Sequence, residues 1–465
     1  MALAFLEVAG GAPLCGEIEI QGSKNAVLPV LASCMLGDGL CVIENCPAIG
    51  DVDDLLRMME MLGCSAVREG NTVRIDASAM EGYEIDGAEA GRIRSSILFL
   101  GPLLGKMGRA ALPLPGGCAI GARPVDLHLE TLRRLGAEFE VGDKILAWTG
   151  TLRGCRMVLS FPSVGATENA VLAAVLAEGE TVIANAAQEP EIDELCSFLN
   201  LRGARIARRE DGALQIRGVR RLKPVRYRMH ADRIVAGTYL LAVAAAGGDV
   251  YIRNFPHGQL DAVLHVLREM GMSVYPEYRG CRKGMILSES VDREGGYSSG
   301  DGELCVCGCA DSDPEIGRDC MGLRVCGRAK YPVPRVTTAP YPGFPTDLQS
   351  PLMAVLSGVK GRSCICEQIF ESRFRTADEL KKMGARILVD GNCAWIDGAP
   401  PLHGARLAAP DLRGGAALVI AALASRGRSV IGGTEYIERG YEDICRDLAG
   451  LGADIRMRDG VFSLV

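Results

Sequence analysis

Hydrophobic and polar positions along the chain fall into one recurring pattern. An amphipathic stretch closes at or beside Leu or Met, a glycine follows, and a short run of strand formers comes next. It reads RMMEMLGCSAV, TLRRLGAEFEV, FLNLRGARIAR, VLREMGMSVYP, LKKMGARILVD and LAGLGADIRMR, with Gly63, Gly136, Gly203, Gly271, Gly384 and Gly452. Each glycine stands where a helix ends in the left-handed conformation and the chain turns into a strand. Successive spacings of 73, 67, 68, 113 and 68 residues predict six α/β units, the fourth interval carrying roughly 45 extra residues. A second helical pattern precedes each unit, as in ENAVLAAVLAEGE (168–180) and DRIVAGTYLLAVAAAGG (232–248). Its Ala and Gly content suits helices packed closely inside a domain. Three units per domain give two similar globular domains with a cleft between them, a common place for a ligand.

Composition narrows the function classes. Net charge is −7 and only 5% of residues are aromatic, against the basic surface and stacking platforms that a nucleic-acid binder needs. The apolar runs at 170–177 and 238–246 are too short to span a bilayer, and the start MALAFLEVAGG lacks the basic region of a signal peptide. A cytoplasmic protein without membrane insertion is expected, and its 18 cysteines are then expected to be mostly thiols. There is no C-x-x-C and no H-E-x-x-H, so no metal site is assigned. Cys281, Cys305, Cys307, Cys309, Cys320 and Cys326 crowd a polar, Gly-rich stretch at 280–328, read as an inserted β-rich lobe with buried thiols. A metal- or redox-sensitive lobe is the other reading.

Candidate chemistry sits in turns. Pro115-Gly116-Gly117-Cys118 puts a thiol on a Gly-rich loop, with Gly121, Arg123, Pro124, Asp126 and His128 close behind. Arginine beside such a thiol lowers its pKa or binds an anion, which suits a nucleophile or general acid. Gln21-Gly22-Ser23-Lys24-Asn25-Ala26 joins a strand pattern to a helical one, as in anion capture at a helix N-terminus. Asp347 follows the Pro-rich turn Tyr341–Pro345, while Arg373, Asp411, Arg413 and Arg439 lie beside turns and acids. No dinucleotide fingerprint is present, and Gly101–Met107 only approximates a phosphate loop.

The segments KNAVLPVLAS, PGGCAIGARPVDLH, FPSVGATENAVLAA, ADRIVAGT, FPTDLQ, ESRF, DLRGGAALV and ERGYE stand in one order. In this the chain resembles the UDP-N-acetylglucosamine 1-carboxyvinyltransferase family, enolpyruvyl transferases of peptidoglycan synthesis related to EPSP synthase. The resemblance implies an α/β fold of two domains, each an inside-out α/β barrel of three βαβαββ units. Its expected boundaries are 23–231 for one domain, and 1–22 plus 232–465 for the other, which carries the Cys-rich insertion 280–328.

The implied reaction is addition–elimination between phosphoenolpyruvate and the 3-hydroxyl of UDP-N-acetylglucosamine. Both substrates are anions, so fixed cations are needed, and Lys24, Arg94, Arg123, Arg373, Arg413 and Arg439 match the family's positions. Cys118 matches the general acid that protonates C3, forms a phospholactoyl adduct and is alkylated by fosfomycin. Asp347 matches the carboxylate that takes the 3-hydroxyl proton. Asn25, Arg123, Pro124, Val125, Asp126, Leu127, Ser163, Val164, Gly165 and Ile369 match sugar-nucleotide contacts, and Asp411 is counted with the substrate-binding residues. No organic cofactor is implied, and no protein partner is named.

Gly50 stands where many relatives carry a basic residue, Ala231 and Val235 interrupt the usual PDRIEAGT, and Tyr436 replaces a frequent His. Two rival readings remain at this level. One is a weakly active or inactive paralogue that binds the sugar nucleotide as a sensor or partner-docking protein; the other is transfer to shikimate 3-phosphate.

Overall fold

The computed structural model describes residues 3–85, 94–114, 125–278, 321–398 and 401–460. The PGGC loop and most of the Cys-rich insertion lie outside them. Among the described residues no helix is long and apolar enough to cross a membrane.

The two-domain α/β expectation holds, and the repeat is written into the sheets. Among the described residues there are five four-stranded sheets and one three-stranded sheet, the latter extended by a parallel bridge between Glu84 and Ala111. Each four-stranded sheet has one parallel pair followed by two antiparallel ones. In one, Arg226–Arg228 runs parallel to Leu40–Glu44, which continues antiparallel through Thr72–Asp76 to Ser65–Glu69. The other four repeat the scheme. The six repeat glycines have φ between 84° and 99°. A side chain there would be strained, so glycine is the residue that ends each outer helix in this way.

Six inner helices carry the apolar surface: α1 (Lys24–Ser33), α2 (Leu100–Met107), α3 (Val164–Ala174), α4 (Arg233–Ala246), α5 (Gln349–Ser357) and α6 (Leu412–Ala424). Every residue of α4 is buried. A helix enclosed on all sides has no polar face to display, which is why its sequence lacks amphipathic periodicity. α4, α5 and α6 pack on one another, and α2 packs on α3. Small residues permit this closeness: a Cβ on Gly101 would stand 2.8 Å from the carbonyl oxygen of Asn169.

Buried side chains form two cores, one from residues 26–229 and one from 6–20 together with 234–455. The chain crosses between them twice, side by side. Ser23 donates its N–H to His230, Asp232 donates to Gln21, and Gly22 bridges Ala231.

Two sequence expectations change. Met321–Cys326, assigned to the insertion, is a regular strand between Gly248–Arg253 and Ser273–Tyr278. Pairing with both neighbours makes it part of the fourth repeat, and Cys326 with it. Cys366 and Cys393, in a chain whose cysteines were expected to be mostly thiols, are directly opposed on neighbouring strands and form a disulfide.

Candidate active site

The first turns of the inner helices bring buried cations to the seam between the domains. Ser23 caps α1, Asp232 caps α4 and Asp411 caps α6 by accepting backbone N–H groups two or three residues on. Lys24, Arg233 and Arg413 follow those caps directly or by one residue. A cation at a helix N-terminus opposes the macrodipole. Each is therefore held by a carboxylate from elsewhere: Lys24 by Asp51 at 2.8 Å, Arg233 by Glu191 at 3.0 Å, and Arg413 by Asp347 at 3.1 Å. Asp232 also accepts the backbone N–H of Lys24, at 2.9 Å, so one carboxylate orders both helix starts where the chain crosses.

Around Lys24 and Asp347 the arrangement is dense. Asp51 receives Lys24 on one oxygen and Arg439 Nε on the other at 2.7 Å, joining the two domains. Burial works against the Asp51 carboxylate, but Lys24 and Arg439 outweigh it and hold the group below its ordinary range. Burial pulls Lys24 down; Asp51 opposes that, and Arg413 and Arg439 reinforce it. Asp347 lies in the tight turn Thr346–Leu348 and is gripped by two guanidinium groups, Arg373 and Arg413. Arg413 also donates to the Tyr441 hydroxyl at 3.4 Å, which shares a 2.8 Å hydrogen bond with Thr238.

The loop with Ile369 and Arg373 is set by a residue that the sequence analysis missed. Glu367 is buried and accepts from the hydroxyls of Thr338 (2.9 Å) and Thr346 (2.8 Å) and from the N–H groups of Ile369 (2.7 Å) and Phe370 (3.2 Å). Thr346 in turn accepts from Arg373 Nε at 3.3 Å. The corresponding strand ends elsewhere carry Asn45, Asn185 and Asn254, all at positive φ. Their amides donate to Met229, Leu159 and Ile20, just after the paired parallel strands. Glu367 takes over that clamp and extends it to the Asp347 turn. Its place after a strand, where three repeats have Asn, was the available signal.

Expected sugar-nucleotide residues gather at a second place. Val125, Asp126 and Leu127 open the helix Asp126–Arg134, while Ser163, Val164 and Gly165 open α3. A Cβ on Gly165 would stand 2.8 Å from the His128 ring, so glycine lets the two helix starts meet. Asn169 fixes that ring through a 2.8 Å contact to Nδ1. Asn25 is half-buried in the first turn of α1. Arg94 begins a short helical turn, Arg94–Phe99. Cys118, Arg123 and Pro124 lie outside the described residues, as does the Arg94 side chain.

A cavity of about 680 Å³ also opens at the seam, lined by Gly50, Asp53, Glu438, Glu442 and Asp443 among others. Its acids do not suit an anionic ligand.

Comparison with known proteins agrees with this architecture. The family model of EPSP synthase (3-phosphoshikimate 1-carboxyvinyltransferase) matches residues 8–291 and 323–448. UDP-N-acetylglucosamine 1-carboxyvinyltransferase 2 of Caldanaerobacter subterraneus is 39% identical over 450 residues, covering 97% of this chain and 98% of the relative. UDP-N-acetylglucosamine 1-carboxyvinyltransferase of Halothermothrix orenii has the same identity and coverage. Among solved structures, the enolpyruvyl transferase NikO of Streptomyces tendae superposes with a TM-score of 0.81 at 24% identity, covering 99% of this chain and 100% of that one. EPSP synthase of Acinetobacter baumannii does so at 0.70 and 18%, covering 98% and 100%. The chain belongs to the UDP-N-acetylglucosamine 1-carboxyvinyltransferase family.

Proposed function

We propose that the protein transfers the enolpyruvyl group of phosphoenolpyruvate to the 3-hydroxyl of UDP-N-acetylglucosamine and releases phosphate. The observation that carries this reading is the convergence of Lys24, Arg373, Arg413 and Arg439 around two carboxylates at the domain seam. Cations so placed can take a phosphate and a carboxylate together, which is what phosphoenolpyruvate presents. Arg94 and Arg123 add to this set.

In the first step the sugar oxygen bonds to C2 while a proton is added to C3. Cys118 supplies that proton as general acid, and Asp347 accepts the proton of the 3-hydroxyl. The tetrahedral adduct then loses a proton from C3 and the C2–O bond to phosphate, restoring the double bond. Incoming phosphate competes for the forks of Arg373 and Arg413, which releases the Asp347 carboxylate toward the hydroxyl. Asn25, Pro124, Val125, Asp126, Leu127, Ser163, Val164, Gly165, Ile369 and Asp411 hold or border the sugar nucleotide. No organic cofactor enters these steps. The reaction is the first committed step of peptidoglycan synthesis, in the cytoplasm, on domains bounded at 23–231 and at 1–22 plus 232–465.

Phosphate release from phosphoenolpyruvate with UDP-N-acetylglucosamine tests this. Release that depends on the sugar nucleotide and falls at least a hundredfold in Cys118→Ala is expected. Undiminished activity in the variant removes Cys118 as general acid. No release from a folded wild type that binds the nucleotide overturns the transferase reading.

A further inference from the structure

We propose that Cys364, Cys366 and Cys393 form, in the reduced protein, a three-thiolate site for a soft d10 cation such as Zn2+. The strands Gly361–Cys366 and Cys393–Gly398 are antiparallel neighbours, with Cys366 opposite Cys393 and Cys364 opposite Trp395. Residues two apart along a strand share a face. The pairing register therefore delivers all three sulfurs to one side of the sheet, where they lie within 4.8 Å of one another. Cys364 and Cys366 are 3.8 Å apart, sulfur to sulfur. Two thiolates bound tetrahedrally to one Zn2+ at about 2.3 Å each stand about 3.8 Å apart, so this edge of the triangle is already at coordination spacing.

The surroundings suit a negatively charged complex. Arg335 and Arg362 stand near enough to Cys364 to act on it electrostatically. Arg362 also lies over the Trp395 ring at 5.1 Å, on the same face as the sulfurs. Three thiolates and a divalent ion carry one net negative charge, which Arg335 and Arg362, the latter shared with Asp397 at 3.5 Å, partly offset. Cys364 and Cys366 are buried and Cys393 is half-buried, so the cluster has one side open for entry and for a fourth ligand from solvent.

The Cys366–Cys393 bridge occupies two of the three ligands, so bridged and metal-bound forms exclude each other. A dithiol reductant opens the bridge by supplying two electrons and two protons and itself becoming a disulfide. Zn2+ then binds with loss of the thiol protons. The bridge lies directly before Glu367, so the choice between sulfur bond and metal is made next to the clamp of the Asp347 turn.

The test uses the full chain with Cys281, Cys305, Cys307, Cys309 and Cys320 changed to Ser, so that the insertion contributes no sulfur. It is reduced, freed of reductant without oxygen, and titrated with Zn2+ against a chromophoric chelator. The reduced protein is expected to bind one more Zn2+ than the bridged protein. Cys364→Ser, Cys366→Ser and Cys393→Ser should each weaken that binding at least tenfold, with Cys445→Ser leaving it unchanged. Equal binding before and after reduction, or affinity untouched by the three substitutions, overturns the proposal. X-ray absorption of the Zn2+-loaded parent protein needs no further variant: three sulfur ligands support the site, and nitrogen and oxygen ligands alone refute it.

Discussion

Two clusters of charge meet at the domain seam, and they are built in opposite senses. Around Lys24, Arg373, Arg413 and Arg439 the carboxylates Asp51 and Asp347 each bind two cations, while Asp232 and Asp411 stand beside them as helix caps. Around Glu168, Glu189, Glu191 and Glu194 the acids gather with Arg233, which pairs with Glu191. Burial, reinforced by Glu191, pushes Glu168 and Glu194 up to about 8. Burial is common to both clusters, so the difference is made by partners. Where two cations share a carboxylate it stays charged; where acids gather around one arginine, a buried carboxyl keeps its proton. The same seam thus holds carboxylates that stay charged and carboxyls that stay protonated.

The largest break in this comparison comes from the cationic side. Arg413→Lys keeps the charge but loses the planar fork that reaches Asp347 and Tyr441 together. The expected fall in kcat/KM for phosphoenolpyruvate is about a hundred- to a thousandfold; a change below threefold removes Arg413 from the substrate site. Asp51→Asn comes next, with about a ten- to hundredfold loss. Asp51 is what raises Lys24 against burial, so without it Lys24 gives up its proton at lower pH and the alkaline limb of the kcat/KM profile moves down. A limb that stays in place shows that Lys24 does not control it.

On the acidic side the readout is stability. With Glu168 near 8 when folded and an ordinary value of 4.5, the folded state keeps a proton that the unfolded chain loses in that window. Stability contributed by the protonated form is complete below about 4.5, falls as pH rises, and stops falling above about 8. Glu168→Gln removes this slope and is expected to gain about 1–3 kcal/mol over wild type at pH 8 in urea unfolding, with little gain at pH 5. An equal gain at both pH values means that Glu168 is not protonated in the fold.

Much of this was legible because it depends on local rules. The six glycines report helix ends, and the Ala-rich stretches report enclosed helices. Turn context singled out Lys24, Arg373, Arg413 and Arg439, but only the family resemblance assigned them to one site, since no local pattern separates Arg413 from a surface arginine. Asp51 was missed for a similar reason. It shares the first turn of the helix Gly50–Met61 with Asp53, yet Asp51 is buried while Asp53 is exposed. Only the approach of Lys24 and Arg439 from other parts of the chain distinguishes it. The Cys366–Cys393 pairing was equally hidden, because strand register, unlike strand propensity, is set by the whole sheet.

The smallest expected effect sharpens the boundary between the two kinds of surface. The family resemblance leads to the expectation of a basic residue at position 50, and placing one there looks like a direct gain in anion affinity. The space exists: the nearest atoms to a Cβ there are 4.0 Å away, on Arg439 and Glu438. But Gly50 also lines the acidic cavity with Asp53, Glu438 and Glu442, and it begins a helix, where a cation opposes the dipole. A lysine at this position has nearer partners in those acids than in the substrate. Gly50→Lys is therefore expected to change KM for phosphoenolpyruvate by no more than about threefold. A tenfold drop in KM would mean that the cationic side extends across Gly50 and that the two surfaces are not separate.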